Sequence, residues 1–371
     1  MKTVAFSGTN GGVSFSATGF NRALAEIGEN TGNALFQFAM WRQIRNPKYV
    51  ISRESIPESV HELADILCIP AANQINPSWD LGGWADFVEK CDLPIACIGL
   101  GAQAQLGGDP RLQLKVGTVR YLKIVAERAQ TIGVRGAFTQ QVLEHLGITN
   151  TIVTGCPSQT INSRLKGRDI KALIDGFDLI ERPRIGYTLG TLEEYARPTE
   201  QRLSKMVSAL PHKIIIQTGP HFMRFLHDGH ADEEAVGFFR WVGSFLRPDL
   251  SVHEFMSYLA DQALFYSDAR TWIDQMRSTD LVVGMRIHGA VAAIQAGRLG
   301  VCVAFDSRTE ELAYTMGYPY VTHEEIMDDT TLGDIVRLAR FSAERFDHVR
   351  VKNSDNVRKI LADAGCALIH E

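Results

Sequence analysis

The chain has 371 residues, of which 45% are hydrophobic and 22% charged, so it is long enough for two domains that each bury a core. Its formal net charge of −5 gives no electrostatic indication of a nucleic-acid partner. The apolar runs are far shorter than the ~18 residues of a membrane-spanning helix, and the N-terminus lacks the layout of a signal peptide, so we expect a cytoplasmic protein.

The first half of the chain alternates short apolar runs with amphipathic segments. The apolar runs predict buried strands at residues 4–7, 49–52, 66–70, 94–100, 131–134 and 151–154. The segments between them predict helices at residues 32–44, 59–64, 83–90, 116–129 and 138–145. Strands that alternate with helices indicate βαβ units and therefore a parallel sheet.

A polar stretch at residues 162–183 marks the predicted boundary between two lobes. Beyond it we predict strands at residues 184–188, 213–218, 251–255, 281–285 and 301–305, and helices at residues 200–210, 233–246, 269–278, 288–296 and 309–316. After residue 332 the chain is predicted to be mostly helical to about residue 364. We therefore expect an N-terminal α/β lobe at 1–165, a C-terminal α/β lobe at 180–330, and C-terminal helices at 331–371 that could cross back to the first lobe.

The segment Gly284-Met-Arg-Ile-His-Gly289 is the strongest local candidate for a functional site. An apolar strand ends at Gly284 and a helix is predicted to begin near His288, so Arg286 and His288 lie where a strand gives way to a helix. The backbone N–H groups at the start of a helix favour a bound anion. Arginine binds carboxylates and phosphates through two parallel hydrogen bonds, and histidine exchanges a proton near neutral pH. The structural alternative is that Arg286 pairs with a core carboxylate and His288 caps the helix.

Two further arginines follow predicted strands. Arg135 follows the strand at residues 131–134, and Arg308 follows the strand at residues 301–305. Arg135 alone could be a surface arginine in a loop. Because parallel sheets bind ligands at the carboxyl ends of their strands, three arginines at three strand ends indicate an anionic ligand in a cleft between the lobes.

In the first lobe, residues 29–33 precede or open a predicted helix. Asn30 or Thr31 could cap this helix, and Gly32 would let a ligand approach the backbone closely. Asn33 lies beside them and completes the group of candidate binding residues. Simple capping explains these residues at least as well.

Other kinds of site find less support. Six cysteines are scattered without a CxxC pair, which argues against a disulfide or a structural zinc site. His221, His227 and His230 are more typical of a solvated loop than of a metal site, so we expect no metal. The run Gly99-Leu-Gly101 follows a strand but lacks the third glycine of a dinucleotide fingerprint, so we expect no NAD.

Several sequence blocks together resemble one known family. The block IGVRGAFTQQVLEHLGI at residues 132–148 is followed by VTGCPS at 153–158. The block VVGMRIHG at residues 282–289 is followed by AG at 296–297 and DSRTEE at 306–311. The element ENTGN at residues 29–33 carries Asn33 where the family more often has Asp. In this order, over roughly residues 29–320, the blocks resemble the polysaccharide pyruvyl transferases.

The resemblance implies a GT-B-like fold of two Rossmann-type lobes with parallel sheets, the first lobe facing the acceptor and the second binding the donor. It implies transfer of a pyruvyl group from phosphoenolpyruvate, with no cofactor, to hydroxyls of a sugar in a polysaccharide or glycolipid precursor. The products are a pyruvate ketal and phosphate. Carried over residue by residue, Arg135 and Arg286 bind the donor's carboxylate and phosphate, and His288 is the acid/base residue; the sequence leaves open which of the two it is.

The implied partners are a small-molecule donor and a saccharide acceptor, in exopolysaccharide or cell-envelope synthesis. A lipid-linked acceptor would bring the protein to a membrane surface as a peripheral partner. The oligomeric state stays open. Two alternatives remain: a GT-B glycosyltransferase that uses a nucleotide sugar, and a non-catalytic polysaccharide-assembly protein of the same fold. The glycosyltransferase would need an acidic ribose-binding element after the helix at His288, where Glu310 and Glu311 are the nearest candidates.

Overall fold

The computed structural model describes residues 1–52, 54–103 and 108–369 and contains two parallel six-stranded β-sheets. The strands of the first sheet are β1 (Val4–Ser7), β2 (Lys48–Ile51), β3 (Ile66–Pro70), β4 (Ile95–Leu100), β5 (Ile132–Val134) and β6 (Thr151–Val153). The helices among and after them are α1 (Phe15–Thr18), α2 (Phe20–Glu26), α3 (Asn33–Gln43), α4 (Pro57–Leu63), α5 (Gly82–Cys91), α6 (Val116–Arg128), α7 (Ala137–His145) and α8 (Gly167–Asp175). The strand order is β2-β1-β3-β4-β5-β6.

The second sheet has the order β12-β11-β10-β7-β8-β9. Its strands are β7 (Ile185–Thr188), β8 (His212–Ile215), β9 (Ala263–Leu264), β10 (Leu281–Gly284), β11 (Leu299–Ala304) and β12 (Tyr320–Thr322). The helices are α9 (Arg197–Ser208), α10 (Pro220–Asp228), α11 (Glu233–Leu246), α12 (Val252–Gln262), α13 (Ala269–Met276), α14 (Ile287–Gln295), α15 (Ser307–Met316), α16 (Leu332–Leu338) and α17 (Ala343–Asp363). Short 3-10 helices lie at Pro157–Thr160, Phe177–Leu179, Glu194–Ala196 and His323–Glu325.

The inner strands are apolar along their whole length because helices cover both faces of each sheet. Every residue of β3, β4, β10 and β11 is buried, as expected for strands of parallel sheets. In the second sheet the chain moves outward from β7 to β9 and then returns to β10 on the other side of β7. The carboxyl ends of β7 and β10 therefore flank a topological switch point, the usual ligand position in a doubly wound sheet.

Two hydrophobic core clusters are shared by the two lobes. One joins Leu35 and Phe36 of α3 to Ile287 and Val291 of α14, and the other joins α1 and α2 to the second sheet. A backbone hydrogen bond from Thr31 N–H to the Gln217 carbonyl, 2.9 Å long, also crosses between the lobes. These contacts hold the carboxyl ends of the two sheets against each other.

The fold predicted from the sequence, an α/β chain with two Rossmann-type lobes, parallel sheets and a C-terminal helix, is confirmed. The lobe boundaries 1–165, 180–330 and 331–371 stay a prediction, and residues 53, 104–107, 370 and 371 within them lie outside the described residues. No helix formed by the described residues is both long enough and apolar enough to cross a membrane.

The predicted strand at residues 251–255 is wrong, because α12 begins there. Ser251 and Glu254 form a capping box, in which each side chain accepts the other's backbone N–H. Phe255 and Leu259, one helical turn apart, bury the same face. The strand at this edge of the sheet is β9, whose two residues are too few to produce a periodic pattern. The predictions also missed β12 and the helices α1, α2, α8 and α10.

Candidate functional site

A cavity of about 50 Å³ lies between the carboxyl ends of the two sheets. Its polar and charged lining comes from both lobes: Asn30, Asn33, Asn73 and Arg135 from the first, and Gln217, Arg286, His288, Arg308 and Thr309 from the second. The structure thus brings together all three arginines that the sequence analysis singled out at strand ends, together with His288.

Arg135 follows β5 directly and is only 4% exposed. Its Nε donates to the Gly99 carbonyl and its Nη1 to Asn73 Oδ1, each at 2.9 Å. Gly99 lies at a register irregularity between β4 and β5 with a φ of 86°, a conformation that suits glycine. Among the described residues, Arg135 Nη2 has no hydrogen-bond partner. Burial lowers the pKa of Arg135. The two hydrogen bonds hold the guanidinium in place and leave one donor group unused.

Arg286 lies between β10 and α14, at the N-cap position of the helix. Its Nε donates to the Gly190 carbonyl at 3.2 Å and its Nη2 to Thr218 Oγ1 at 3.0 Å. Burial and then the charge of Arg308 lower the pKa of Arg286. Since both acceptors are uncharged, these contacts fix the guanidinium without neutralising it.

Arg308 lies in the first turn of α15, which begins two residues before the predicted helix start at residue 309. Its Nη2 pairs with Asp306 Oδ2 at 3.1 Å, and Asp306 also caps α15 by accepting the Thr309 N–H at 2.7 Å. Among the described residues, no ion pair involves Arg135 or Arg286. The cluster therefore holds three cations and one directly paired carboxylate.

His288 is the second residue of α14 and is 8% exposed. Its Nε2 lies 3.6 Å from Cys156 Sγ, and the Ser158 hydroxyl donates to the same sulfur at 2.9 Å. Burial, followed by the charges of Arg135, Arg308 and Arg286, lowers the pKa of His288 to about 3. The imidazole is therefore neutral at physiological pH, with one nitrogen a donor and the other an acceptor.

The first lobe contributes the segment at Asn30, Gly32 and Asn33. Asn30 Oδ1 accepts the Gly32 N–H at 2.8 Å, and Gly32 occupies the N-cap position of α3. A Cβ on Gly32 would lie 2.8 Å from both His288 Nδ1 and Gln217 Oε1, so only glycine lets the second lobe approach this closely. The Asn33 side chain lines the cavity but donates to the Ile27 carbonyl at 2.9 Å, which is a structural contact.

Four residues of this region escaped the sequence analysis. Asn73 and Gln217 each follow the end of a strand, β3 and β8, which is the signal that could have identified them. Gln217 is 1% exposed, and its Nε2 has no partner among the described residues. Cys156 and Glu200 gave no such signal, because the role of each depends on contacts with residues outside its own element.

Glu200 is fully buried in α9, behind Arg286. It accepts hydrogen bonds from the Tyr187 hydroxyl and from the Gly190 N–H, the latter at 2.9 Å. Burial raises the pKa of Glu200 to about 7. Because the Gly190 carbonyl in turn accepts from Arg286, Glu200 supports the loop that holds this arginine.

A second cavity, of about 230 Å³, adjoins Arg286 at the carboxyl ends of β7 and β8. The rings of His221 and Phe238 stack in its wall with centroids 4.8 Å apart. The described residues that line it include no Asp or Glu. The cavity therefore lacks the carboxylate that holds a ribose in dinucleotide-binding sheets.

The histidine group at His221, His227 and His230 does not converge on one point. His221 stacks on Phe238, whereas His227 pairs with Asp228 at 2.6 Å. In the described part of the chain, no three His, Cys, Asp or Glu side chains are placed to hold a metal ion. All six cysteines are buried and free of disulfides.

The chain is similar in fold to several solved structures. HepE from Anabaena in complex with UDP is 11% identical, with a TM-score of 0.46 over 98% of this chain and 100% of that chain. MnaA from S. aureus with UDP is 10% identical, with a TM-score of 0.43 over 96% and 98%. UDP-GlcNAc 2-epimerase from Neisseria meningitidis bound to UDP-GlcNAc is 7% identical, with a TM-score of 0.42 over 99% and 95%.

No curated protein matches the chain in sequence. The family described as polysaccharide pyruvyl transferase matches residues 30–307, which include the N-terminal element at Asn30 and both arginine-bearing blocks. Since this match covers most of the 371 residues, the chain belongs to the polysaccharide pyruvyl transferase family.

Proposed function

We propose that the chain transfers the pyruvyl group of phosphoenolpyruvate to hydroxyls of a sugar in a polysaccharide or glycolipid precursor. Membership of the family supports a transferase. The observation that carries the donor is the cluster of Arg135, Arg286 and Arg308 around one cavity, two of them without a paired carboxylate among the described residues.

The charge balance of the cluster supports an anionic donor. Burial removes the guanidinium groups from water, and their positive charges repel one another at short range. Both effects lower the pKa values of Arg135 and Arg286. Phosphoenolpyruvate carries a carboxylate next to a phosphate, and arginine binds both groups with two parallel hydrogen bonds. The unused Nη2 donor of Arg135 and Nε2 donor of Gln217 would find acceptors in such a ligand.

The reaction converts one enol phosphate and two sugar hydroxyls into a ketal and inorganic phosphate. Protonation of the donor's methylene carbon makes the methyl group and leaves an oxocarbenium-like centre, which a sugar hydroxyl attacks. The second hydroxyl then displaces the phosphate. Of the two hydroxyl protons, one balances the proton on the methyl carbon and the other leaves with the phosphate. His288 is the group in the cluster that can carry a proton between these atoms.

We infer that the cavity widens when the donor binds, since its volume in this structure is only about 50 Å³. Two hydrogen bonds join the lobes beside it: one from Thr31 N–H to the Gln217 carbonyl, and one from Phe138 N–H to Glu311. A separation of the lobes would break both, together with the apolar contacts between α3 and α14.

A thermal-shift screen tests the donor. Phosphoenolpyruvate should raise the melting temperature of the wild type, by linkage between binding and folding. Arg286→Ala should bind it roughly 10- to 100-fold more weakly, the usual effect of losing hydrogen bonds to a charged group. Arg286→Lys keeps the charge without the planar fork and should bind with intermediate affinity.

The exposed Arg240 on α11 provides the matched control, and Arg240→Ala should respond to phosphoenolpyruvate as the wild type does. UDP-, GDP- and CMP-sugars form the competing arm of the screen, since a nucleotide-sugar glycosyltransferase of the same fold is the alternative function. Stabilisation by a nucleotide sugar alone would show that the proposed reaction is wrong. Phosphate release from phosphoenolpyruvate in the presence of a saccharide would establish turnover.

A further inference from the structure

A third cavity, of about 310 Å³, lies across α15 from the arginine cluster. Its lining includes Phe138 of α7 in the first lobe and Glu310, Glu311, Tyr314 and Tyr320 of the second. It therefore opens where the two lobes meet. Residues 308, 309 and 312 of α15 line the arginine cavity, whereas residues 307, 310, 311 and 314 line this one.

The composition of this cavity differs from that of the arginine cavity. The described residues that line it include three aromatic rings and two carboxylates but no basic side chain. Ionised carboxylates only accept hydrogen bonds, so they repel anions and favour a ligand rich in hydroxyl donors. Aromatic rings favour a ligand that also has an apolar face. A pyranose ring, with hydroxyls around its edge and C–H groups on its faces, combines the two properties.

Glu310 and Tyr314 are the best placed of these residues to bind a sugar. Among the described residues, no hydrogen bond or ion pair involves the Glu310 carboxylate, so its oxygens are available to hydroxyl donors. The Tyr314 ring is 57% exposed, and the Arg345 guanidinium lies 3.8 Å from its centroid. This cation–π contact holds the ring in place as a rigid platform.

Glu311 connects this cavity to the arginine cluster. Its carboxylate accepts the Phe138 N–H at the start of α7, and a Cβ on Gly136 would lie 2.3 Å from its Cδ. Arg135, two residues before α7, lines the other cavity. A ligand in the third cavity therefore lies within about one helix diameter, roughly 10–12 Å, of the anion site.

We propose that this cavity binds a monosaccharide unit of the acceptor, with Tyr314 as the stacking platform and Glu310 as the acceptor of sugar hydroxyls. The proposal rests on the proposed function, which requires a saccharide beside the donor. It assigns an anionic substrate to the basic cavity and a neutral polyhydroxyl substrate to the acidic, aromatic one. It also places residues of both lobes, and not only the first, around the acceptor.

Saturation-transfer difference NMR without phosphoenolpyruvate tests this site directly. The probes are the p-nitrophenyl β-glycosides of glucose, galactose and mannose. At least one should receive saturation on its sugar-ring protons from the wild type. Glu310→Gln and Tyr314→Ala should each weaken that binding about tenfold, the effect of losing one charged hydrogen bond or one stacking contact. Tyr314→Phe keeps the ring and should bind like the wild type.

Glu324→Gln removes an exposed carboxylate outside the cavity and should leave glycoside binding unchanged. Wild-type protein that binds none of the glycosides would overturn the proposal, as would Glu310→Gln and Tyr314→Ala variants that bind like the wild type. A thermal shift with phosphoenolpyruvate on the same samples separates the two hypotheses. If phosphoenolpyruvate does not raise the melting temperature of the wild type, the proposed function is wrong. If it does, and only glycoside binding changes in the variants, the result concerns the acceptor site alone.

Discussion

His288 is neutral because its surroundings are both buried and positively charged. Burial contributes most to its low pKa, followed by Arg135, Arg308 and Arg286. A bound anion would offset the arginine charges and so raise the pKa of His288 toward its ordinary value of 6.5. Donor binding and protonation of His288 should therefore be coupled.

This coupling predicts that phosphoenolpyruvate takes up protons on binding. Isothermal titration calorimetry near pH 6.5, in buffers of different ionisation enthalpy, should show uptake of up to about half a proton in the wild type. His288→Asn keeps a polar side chain but cannot titrate, so its uptake should be close to zero. Equal proton uptake in both proteins would exclude His288 as the group that is protonated.

Cys156 and Ser158 orient the imidazole ring of His288 in the cleft. The Ser158 hydroxyl donates to Cys156 Sγ, which contacts His288 Nε2 and leaves Nδ1 facing Gly32. Because the sulfur already accepts from Ser158, its S–H is free to donate to Nε2. With the S–H donating, His288 would carry its proton on Nδ1 and present a donor toward Gly32.

Cys156→Ala should therefore lower kcat by up to about 10²-fold while leaving the Kd for phosphoenolpyruvate nearly unchanged, because the ring loses its orientation and not its charge. Cys156→Ser restores a donor at the same position and should recover much of the rate. A pH profile of kcat is the informative measurement, since a purely packing role for Cys156 would not shift its shape. Similar losses in the Ala and Ser variants would contradict an orienting role.

The sequence predicted the arginines of the site better than the residues that hold the charged groups in place. Arg135 and Arg286 directly follow apolar runs, and the rule that ligands bind at strand ends then brings them to one cleft. Asn73 and Gln217 also follow strand ends but are uncharged, and the role of Cys156 depends on its contact with His288 on another element. The functional roles of Arg135, Arg286, Arg308, Asn30, Gly32, Asn33 and His288 stay predictions that the variants above test.

At the scale of elements, the loop after β7 is held by the buried carboxyl of Glu200. Burial raises the pKa of Glu200 from 4.5 to about 7, with the hydrogen bonds from Tyr187 and Gly190 opposing the shift. The folded protein thus retains a proton that the unfolded chain releases above pH 4.5. The stability contributed by Glu200 is fully present below pH 4.5 and is lost as the pH rises through about 7.

Replacement of Glu200 by Gln should remove this pH dependence. Between pH 5 and pH 8, the free energy of unfolding of the wild type should fall relative to that of Glu200→Gln. The decrease should be at most ~1.4 kcal/mol per unit of pKa shift. Urea unfolding at both pH values measures the difference. The exposed Glu324→Gln variant is the control and should follow the wild type. Parallel pH dependence in the wild type and Glu200→Gln would mean that Glu200 is already ionised in the fold.

Apolar runs identified even the three-residue strands β5 and β6, whereas the helices α8, α10 and α12 were missed. The strand predicted at residues 251–255 failed because alternating residues were given more weight than Ser251 and Glu254, whose spacing is a helix-start signal. The two residues of β9 and the four of α1 are shorter than either period requires for detection. Their conformation depends on pairing and packing partners elsewhere in the fold.

At the scale of the whole molecule, α17 links the two sheets. Near its start, the Phe346 ring stacks on Tyr318 of the second lobe, with centroids 5.8 Å apart. Near its end, Val357, Ile360 and Leu361 enter the core of the first sheet together with residues of β1, β3 and β4. One continuous helix of 21 residues therefore braces both lobes and limits how far they can separate.

The Ile360→Ala substitution should therefore destabilise both lobes, and not only the first. Ile360 is 2% exposed, and its truncation should cost about 2–5 kcal/mol of unfolding free energy. Hydrogen exchange read by mass spectrometry should show faster exchange in β4 and also in β11, because loosening α17 removes the brace from both sheets. Val351→Ala on the same helix, where Val351 is 56% exposed, should change stability by less than about 0.5 kcal/mol. Faster exchange confined to the first sheet in Ile360→Ala would show that the lobes open independently and that α17 does not couple them.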